Sequence, residues 1–173
     1  MILGLFRKQP FRDEAAALAG AVTAQSRLPA FYLPPYGAPD TFEGRFEVTV
    51  LNAGLALMRL SAAEAPGPEL AQALSDALFA LFDDALREKG VSDTGVPKKM
   101  KKLAGAFSGR GAAYARAAGE DSDAALAEAL ARNVLAGAGD GAAFADYYRR
   151  AEARLAATPL ETFLRGEAPF PAP

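Results

Sequence analysis

The chain is expected to be all-α, a single domain built as a bundle of six or seven helices. Apolar residues recur at a spacing near 3.6 through most of its 173 residues, and no run alternates with the period of two that a half-buried strand requires. Alanine dominates an apolar content of 51%, and β-branched residues are few, which favours helix over sheet. Glycine and proline gather in short breaks between the periodic stretches.

Taken in order, residues 1–11 read as a loosely ordered end. Their apolar run precedes Arg7 and Lys8, the reverse of a secretory signal. A helix follows over residues 12–27 and ends where Leu28-Pro29 forces the backbone out of helical geometry. After an aromatic loop, Asp40 or Thr41 can cap a second helix running to about residue 62. Its broad apolar face, with Phe42, Phe46, Val50, Leu51, Leu55 and Met58, suits a central position. Ala65-Pro66-Gly67-Pro68 breaks the chain, and residues 69–89 then give the cleanest amphipathic pattern, stopped by Gly90. Pro97 suits the first position of a helix to about residue 118, with Met100, Leu103, Phe107 and Tyr114 on one face. Ser122-Asp123 opens another, turning Leu126, Leu130 and Val134 inward. Beyond the linker Gly137–Gly141, residues 142–157 repeat the pattern. Thr158-Pro159-Leu160-Glu161 has the form of a capping box opening a short last helix, and the tail 167–173 is expected to be loose.

Composition narrows the chemistry. The chain has no cysteine and no histidine, which removes thiolate catalysis, Cys/His zinc sites, disulfides and Ser-His-Asp systems. No cofactor or metal site is expected, and a reducing cytoplasm fits the missing cysteine. Charged residues at 23% and a mean hydropathy of +0.03 describe a soluble globule. A net charge of −2 argues against sequence-specific nucleic-acid binding, which calls for a strongly basic domain. No run is long and apolar enough to span a bilayer. Asp76, Asp83, Asp84 and Glu88 raise the thought of a magnesium-dependent isoprenoid enzyme. Such enzymes need two aspartate-rich motifs facing one another, however, and here there is one. A solvated face with an Asp83–Arg87 pair four residues apart is the simpler reading.

Three surface features are candidates for holding a partner. The loop LPAFYLPPYGAPDTFEGRF, residues 28–46, sets Phe31, Tyr32 and Tyr36 among four prolines. Prolines make such a loop inexpensive to hold rigid, and aromatics make interface hot spots; the alternative is that these rings cover the end of the bundle. Arg45, a cation near a helix start, either pairs with Asp40 or Glu43 or reaches an external acceptor. The stretch KKMKK places Lys98, Lys99, Lys101 and Lys102, four of the six lysines, at a helix N-terminus. There the macrodipole disfavours each cation by about 0.3–1 kcal/mol, which an anionic partner would offset. Further along the same helix, Gly105 and Gly109 lie opposite the Met100–Phe107 face. They leave a flat side that another helix can approach, inside the bundle or from a partner.

The ordered set QSRLPAFY, PDTFEGRFEVTVL, LSDALFALFDDALREKGVSDTGVPKKMKKLAGAFSGRGAAY and ALARNVL, over roughly residues 25–135, resembles the ubiquinol–cytochrome c chaperone family. The most specific part runs from Asp83 and Leu86-Arg87-Glu88 through Gly90-Val91 and Val96-Pro97-Lys98 to Gly109-Arg110 and Tyr114. The resemblance implies an all-helical, non-enzymatic assembly factor for respiratory complex III. Its client would be newly made cytochrome b, with a small partner subunit and the ribosome or an anionic membrane surface as further partners. The sequence shows no transit extension, so a bacterial member is expected, working at the cytoplasmic face of the inner membrane. It supports Arg45, the lysine cluster and Arg110 as motif members. Two departures stand out. Ser92-Asp93-Thr94 replaces a Gly-Asp-apolar turn, and the residues beyond ALARNVL carry no motif of the family. The rival reading is a peripheral ribosome- or membrane-binding adaptor centred on the basic helix.

Overall fold

The computed structural model describes residues 10–173, and the expectation for residues 1–9 lies outside that range. Seven α-helices follow in order among the described residues: α1 Arg12–Ser26, α2 Phe42–Ser61, α3 Gly67–Glu88, α4 Val96–Ala118, α5 Ala124–Asn133, α6 Ala142–Ala156 and α7 Leu160–Leu164. A 3₁₀ turn, Pro29–Tyr32, lies between α1 and α2. Each helix falls within a few residues of its sequence-based expectation.

The centre belongs to α2, which packs on α1, α3, α4 and α6. It is the helix with the widest buried surface, including Phe46, Val48, Val50, Leu51, Ala53, Leu55, Ala56 and Leu60. The remaining helices arrange themselves on either side of it, α1 against α3 and α5 between α4 and α6. Thr41 caps α2, its hydroxyl accepting from the Gly44 amide at 3.1 Å. Position 44 must be glycine: a Cβ there would stand 2.0 Å from the Pro39 carbonyl oxygen, a backbone atom with nowhere to go.

The aromatic loop is drawn into the core. The Phe31 ring is fully buried, stacked on Phe144 at 5.8 Å and edge-on to Tyr147 at 4.9 Å. Tyr36 is also buried and meets Phe144 edge-on at 5.0 Å. Of the two alternatives for this loop, the rings of Phe31 and Tyr36 therefore follow the inward one, because α6 presents an aromatic face that they complete. Tyr32 stays half-exposed and donates to the Ser26 carbonyl at 2.6 Å.

A polar chain threads the same region. Asn52, fully buried on α2, donates to Ser26 Oγ and to the Val48 carbonyl, both at 3.1 Å. The Tyr147 hydroxyl donates to Asn52 Oδ1 at 2.6 Å and accepts from Gln25 Nε2 at 3.0 Å. Gln25 also donates to the Pro171 carbonyl at 2.8 Å, and Arg150 donates to the Ala172 carbonyl at 2.7 Å. The tail expected to be loose is thus fastened, its carbonyls accepting from the half-buried Gln25 and the exposed Arg150. The expected capping box fails too: the Thr158 hydroxyl turns back to the Arg154 carbonyl at 2.9 Å, and α7 starts without a side-chain cap.

Two tyrosines with opposite hydrogen-bonding make a matched test. Tyr147→Phe strands Asn52 Oδ1 and is expected to lower stability by about 1–3 kcal/mol. The Tyr114 hydroxyl on α4 is buried with no partner among the described residues, so Tyr114→Phe should leave stability unchanged or raise it. Urea denaturation of both variants checks the pair.

Candidate functional site

The surface around α4 carries the candidate site. α4 opens with Val96-Pro97, where proline loses no intrahelical hydrogen bond, and has no acidic residue in its first turn and no side-chain cap. Its buried residues Val96, Phe107, Tyr114 and Ala117 hold one side against the bundle. The four lysines are all exposed and fan around one side of the helix, and the groove beside α4 takes in Lys99 and Lys102 but not Lys98 and Lys101. Lys98 and Lys101 share a face with Gly105, Gly109 and Ala112. Lys99 and Lys102 share another with Leu103, Ala106 and Arg110, which lines a groove.

On the first face the glycines are exposed, and a Cβ added at Gly105 or Gly109 meets nothing within 4 Å. No helix of the bundle lies against them. Close packing inside the bundle, one of the two explanations open from the sequence, therefore does not account for them.

The second face borders a groove of about 310 Å³ between α4, the start of α2 and the end of α3. Phe42, Phe46, Leu86 and Leu103 line its apolar part, and Lys89, Lys99, Lys102 and Arg110 its basic part. Lys89 lies 4.1 Å from the centre of the Phe42 ring, a cation–π contact, and 3.5 Å from Glu43. Arg110 is half-buried and forms an ion pair with Glu47, tying α4 to α2. Burial pushes the Glu47 carboxyl above the ordinary carboxylate range, and the Arg110 guanidinium opposes this without cancelling it.

A pH dependence follows. With its pKa raised in the folded state, Glu47 binds a proton more readily folded than unfolded. Its contribution to stability therefore falls as pH rises from the ordinary carboxylate range through the raised value. Glu47→Gln removes that fall, so the stability of the variant relative to wild type should increase with pH across the window. Thermal melts at a series of pH values check it, and a difference that stays flat or shrinks with pH would contradict it.

The other residues singled out from sequence fall elsewhere. Arg45 pairs with Asp40 at 2.5 Å, and its guanidinium stands 5.8 Å from the Tyr32 ring centre, so these three form one small exposed cluster. The contact with Arg45 holds the Asp40 carboxyl below its usual range. Arg45 thus satisfies its charge within the chain. Phe31 and Tyr36 belong to the core, and only the hydroxyl end of Tyr36 reaches toward the surface, where it accepts from Arg150 at 3.2 Å. Asp83 pairs with Arg87 at 2.6 Å, as the spacing predicts, and no cluster of acidic groups able to hold a metal ion occurs among the described residues. Sequence reasoning missed the groove, because its lining comes from three chain segments: Phe42 at the start of α2, Leu86 and Lys89 at the end of α3, and Lys99 and Lys102 on α4. The one local signal was the spacing of Lys99, Lys102, Leu103, Ala106 and Arg110 along a single helical face.

Fold and surface together define an all-helical protein whose basic helix borders an apolar groove. The chain belongs to the ubiquinol–cytochrome c chaperone family, whose model matches residues 35–170. It is similar to the crystal structure of the Cbp3 homologue from Brucella abortus, with 34% identity and a TM-score of 0.80, covering 98% of this chain and 96% of that one. No curated protein matches the chain. The family match reaches past ALARNVL into α6 and α7, which carry no recognisable motif but belong to the shared structure. No helix of the described residues is long and apolar enough to cross a membrane.

Proposed function

We propose that this protein binds newly synthesised cytochrome b and supports assembly of ubiquinol–cytochrome c reductase, complex III, without catalysing a reaction. Membership of the family supports the chaperone role, and the bare glycine face of α4 is the observation that carries the choice of surface. Each interior glycine weakens a helix by about 1 kcal/mol relative to alanine, and Gly105 and Gly109 have room for a side chain that they do not use. A helix of the client laid along this face would approach the α4 backbone closely, as small residues allow in membrane helix pairs. Exposed Lys98 and Lys101 at one end and Arg116 at the other would meet acidic positions in the connecting loops. The work would be done at the cytoplasmic face of the inner membrane, where the client emerges. A small partner subunit fits the same reading.

The test is made in cells lacking the protein, by reduced-minus-oxidised spectra of haem b in their membranes together with quinol–cytochrome c reductase activity. Both should fall, and both should return with the wild-type chain. Rescue by Gly105→Leu/Gly109→Leu equal to wild type would remove the glycine face from the reading. No loss in the deleted cells would remove the function itself. If Lys98→Glu/Lys101→Glu abolished rescue while Gly105→Leu/Gly109→Leu rescued as well as wild type, the basic adaptor reading, with ribosomal RNA as the partner, would take its place.

A further inference from the structure

The groove face of α4 is not used by the client reading and carries charge of a different kind. Ten ion pairs join the described residues, and nine of them use arginine. Where this chain meets a carboxylate it does so almost entirely through the guanidinium fork, whose planar donors fix geometry. Lys99 and Lys102 take part in none of the ten. They stand exposed at the rim of the groove, one helical turn apart, at the end of α4 where the helix dipole adds to their field. Against the four cations of the groove stand two carboxylates, Glu43 and Glu47, each already paired, so an excess of two positive charges remains.

The apolar floor is recessed: Phe46 is 8% exposed and Leu86 3%. A flat surface cannot reach such a floor, whereas a chain that enters the groove can. Mobile point charges at the rim and a recessed apolar trough behind them match a phosphodiester with an acyl chain attached.

We propose that the groove between α2, α3 and α4 docks the protein on an anionic phospholipid surface, with Lys99 and Lys102 on the lipid phosphate and one acyl chain along Phe42, Phe46, Leu86 and Leu103. The inference is independent of the client reading, since it uses the other face of α4. Docked in this way, the protein would hold its glycine face beside the bilayer.

The experiment uses the full chain and two vesicle populations, phosphatidylcholine alone and phosphatidylcholine containing phosphatidylglycerol. Sedimentation should show binding to the second only, weakened by salt. A lysine against an anionic surface contributes about 1 kcal/mol, or about fivefold in affinity, so Lys99→Gln/Lys102→Gln should weaken binding about 25-fold. The chain has no tryptophan, so Phe42→Trp supplies a single reporter in the groove, with Leu103→Trp as a second should the first not fold. Phosphatidylglycerol brominated on its acyl chains should quench that reporter. Equal binding to both vesicle types would overturn the proposal, as would binding that the lysine variant does not weaken. Vesicle binding without quenching would do the same. Inorganic phosphate protecting the protein from vesicles as well as phosphatidylglycerol does would reduce the site to an anion site and sink the acyl-chain assignment. Gly105→Leu/Gly109→Leu should still bind vesicles, so failure of the client reading and failure of this one are told apart.

Discussion

Replacing Phe31 by alanine is expected to lower stability by about 3–5 kcal/mol, the range for a large ring deleted from a close-packed core. The ring is fully buried and touches Tyr36, Phe144 and Tyr147, all themselves buried, so its removal leaves a cavity that three aromatic neighbours cannot easily fill. For a domain of this size each kcal/mol shifts the melting temperature by about 2–4 °C, which makes a fall of about 6–20 °C the expected reading. Leu33, 57% exposed two residues along the same loop, is the control: Leu33→Ala should change the melting temperature little. A Phe31→Ala protein melting within a degree or two of wild type would mean that the loop does not hold this position in solution. The prediction bears on function as well. Loss of activity in a Phe31 or Tyr36 variant would report on folding, and such variants cannot identify a client-binding surface.

The glycine face behaves in the opposite way. Gly105→Ala/Gly109→Ala is expected to raise stability, because alanine gains about 1 kcal/mol over glycine at each helix-interior position and its methyl group meets nothing within 4 Å. Gly105→Leu/Gly109→Leu should fold at least as well as wild type for the same reason. In cells, the leucine pair is expected to abolish complex III assembly, since two side chains would stand where a client helix must approach, and the alanine pair to weaken it. A protein that grows more stable as it stops working separates a binding role from a structural one. Loss of stability in the alanine pair would show that the glycines serve the fold after all, and a fully active leucine pair would show that they serve neither purpose on this face.

Much of the helical plan was legible from residue spacing because the signals are local. Proline at the start of α4, threonine before α2, and apolar residues every third or fourth position each act within a turn or two of their own position. The same locality explains where spacing misled. Thr158-Pro159-Leu160-Glu161 has the residue pattern of a capping box, yet the Thr158 hydroxyl finds the Arg154 carbonyl one turn back and leaves α7 uncapped. The tail looked loose because it has no periodicity and a single charged residue, Glu167. Its anchors, Gln25 and Arg150, lie in α1 and α6, and no local pattern joins them to Pro171 and Ala172.

The sequence by itself determined the all-α class, the order and ends of most helices, and the family, because backbone preference and motif order are properties of neighbouring residues. It also determined which residue types were available: no thiol, no imidazole, and a lysine cluster on one helix. Only the tertiary structure decided which surfaces those residues make. It turned Phe31 and Tyr36 inward because α6 offered Phe144 and Tyr147 as partners, over a hundred residues away. It left Gly105 and Gly109 bare because no helix of the bundle packs on that side of α4. It set two of four closely spaced lysines, Lys99 and Lys102, on a groove, since a helix fans its side chains around the axis and only the packing of α2 and α3 makes one side of that fan a groove.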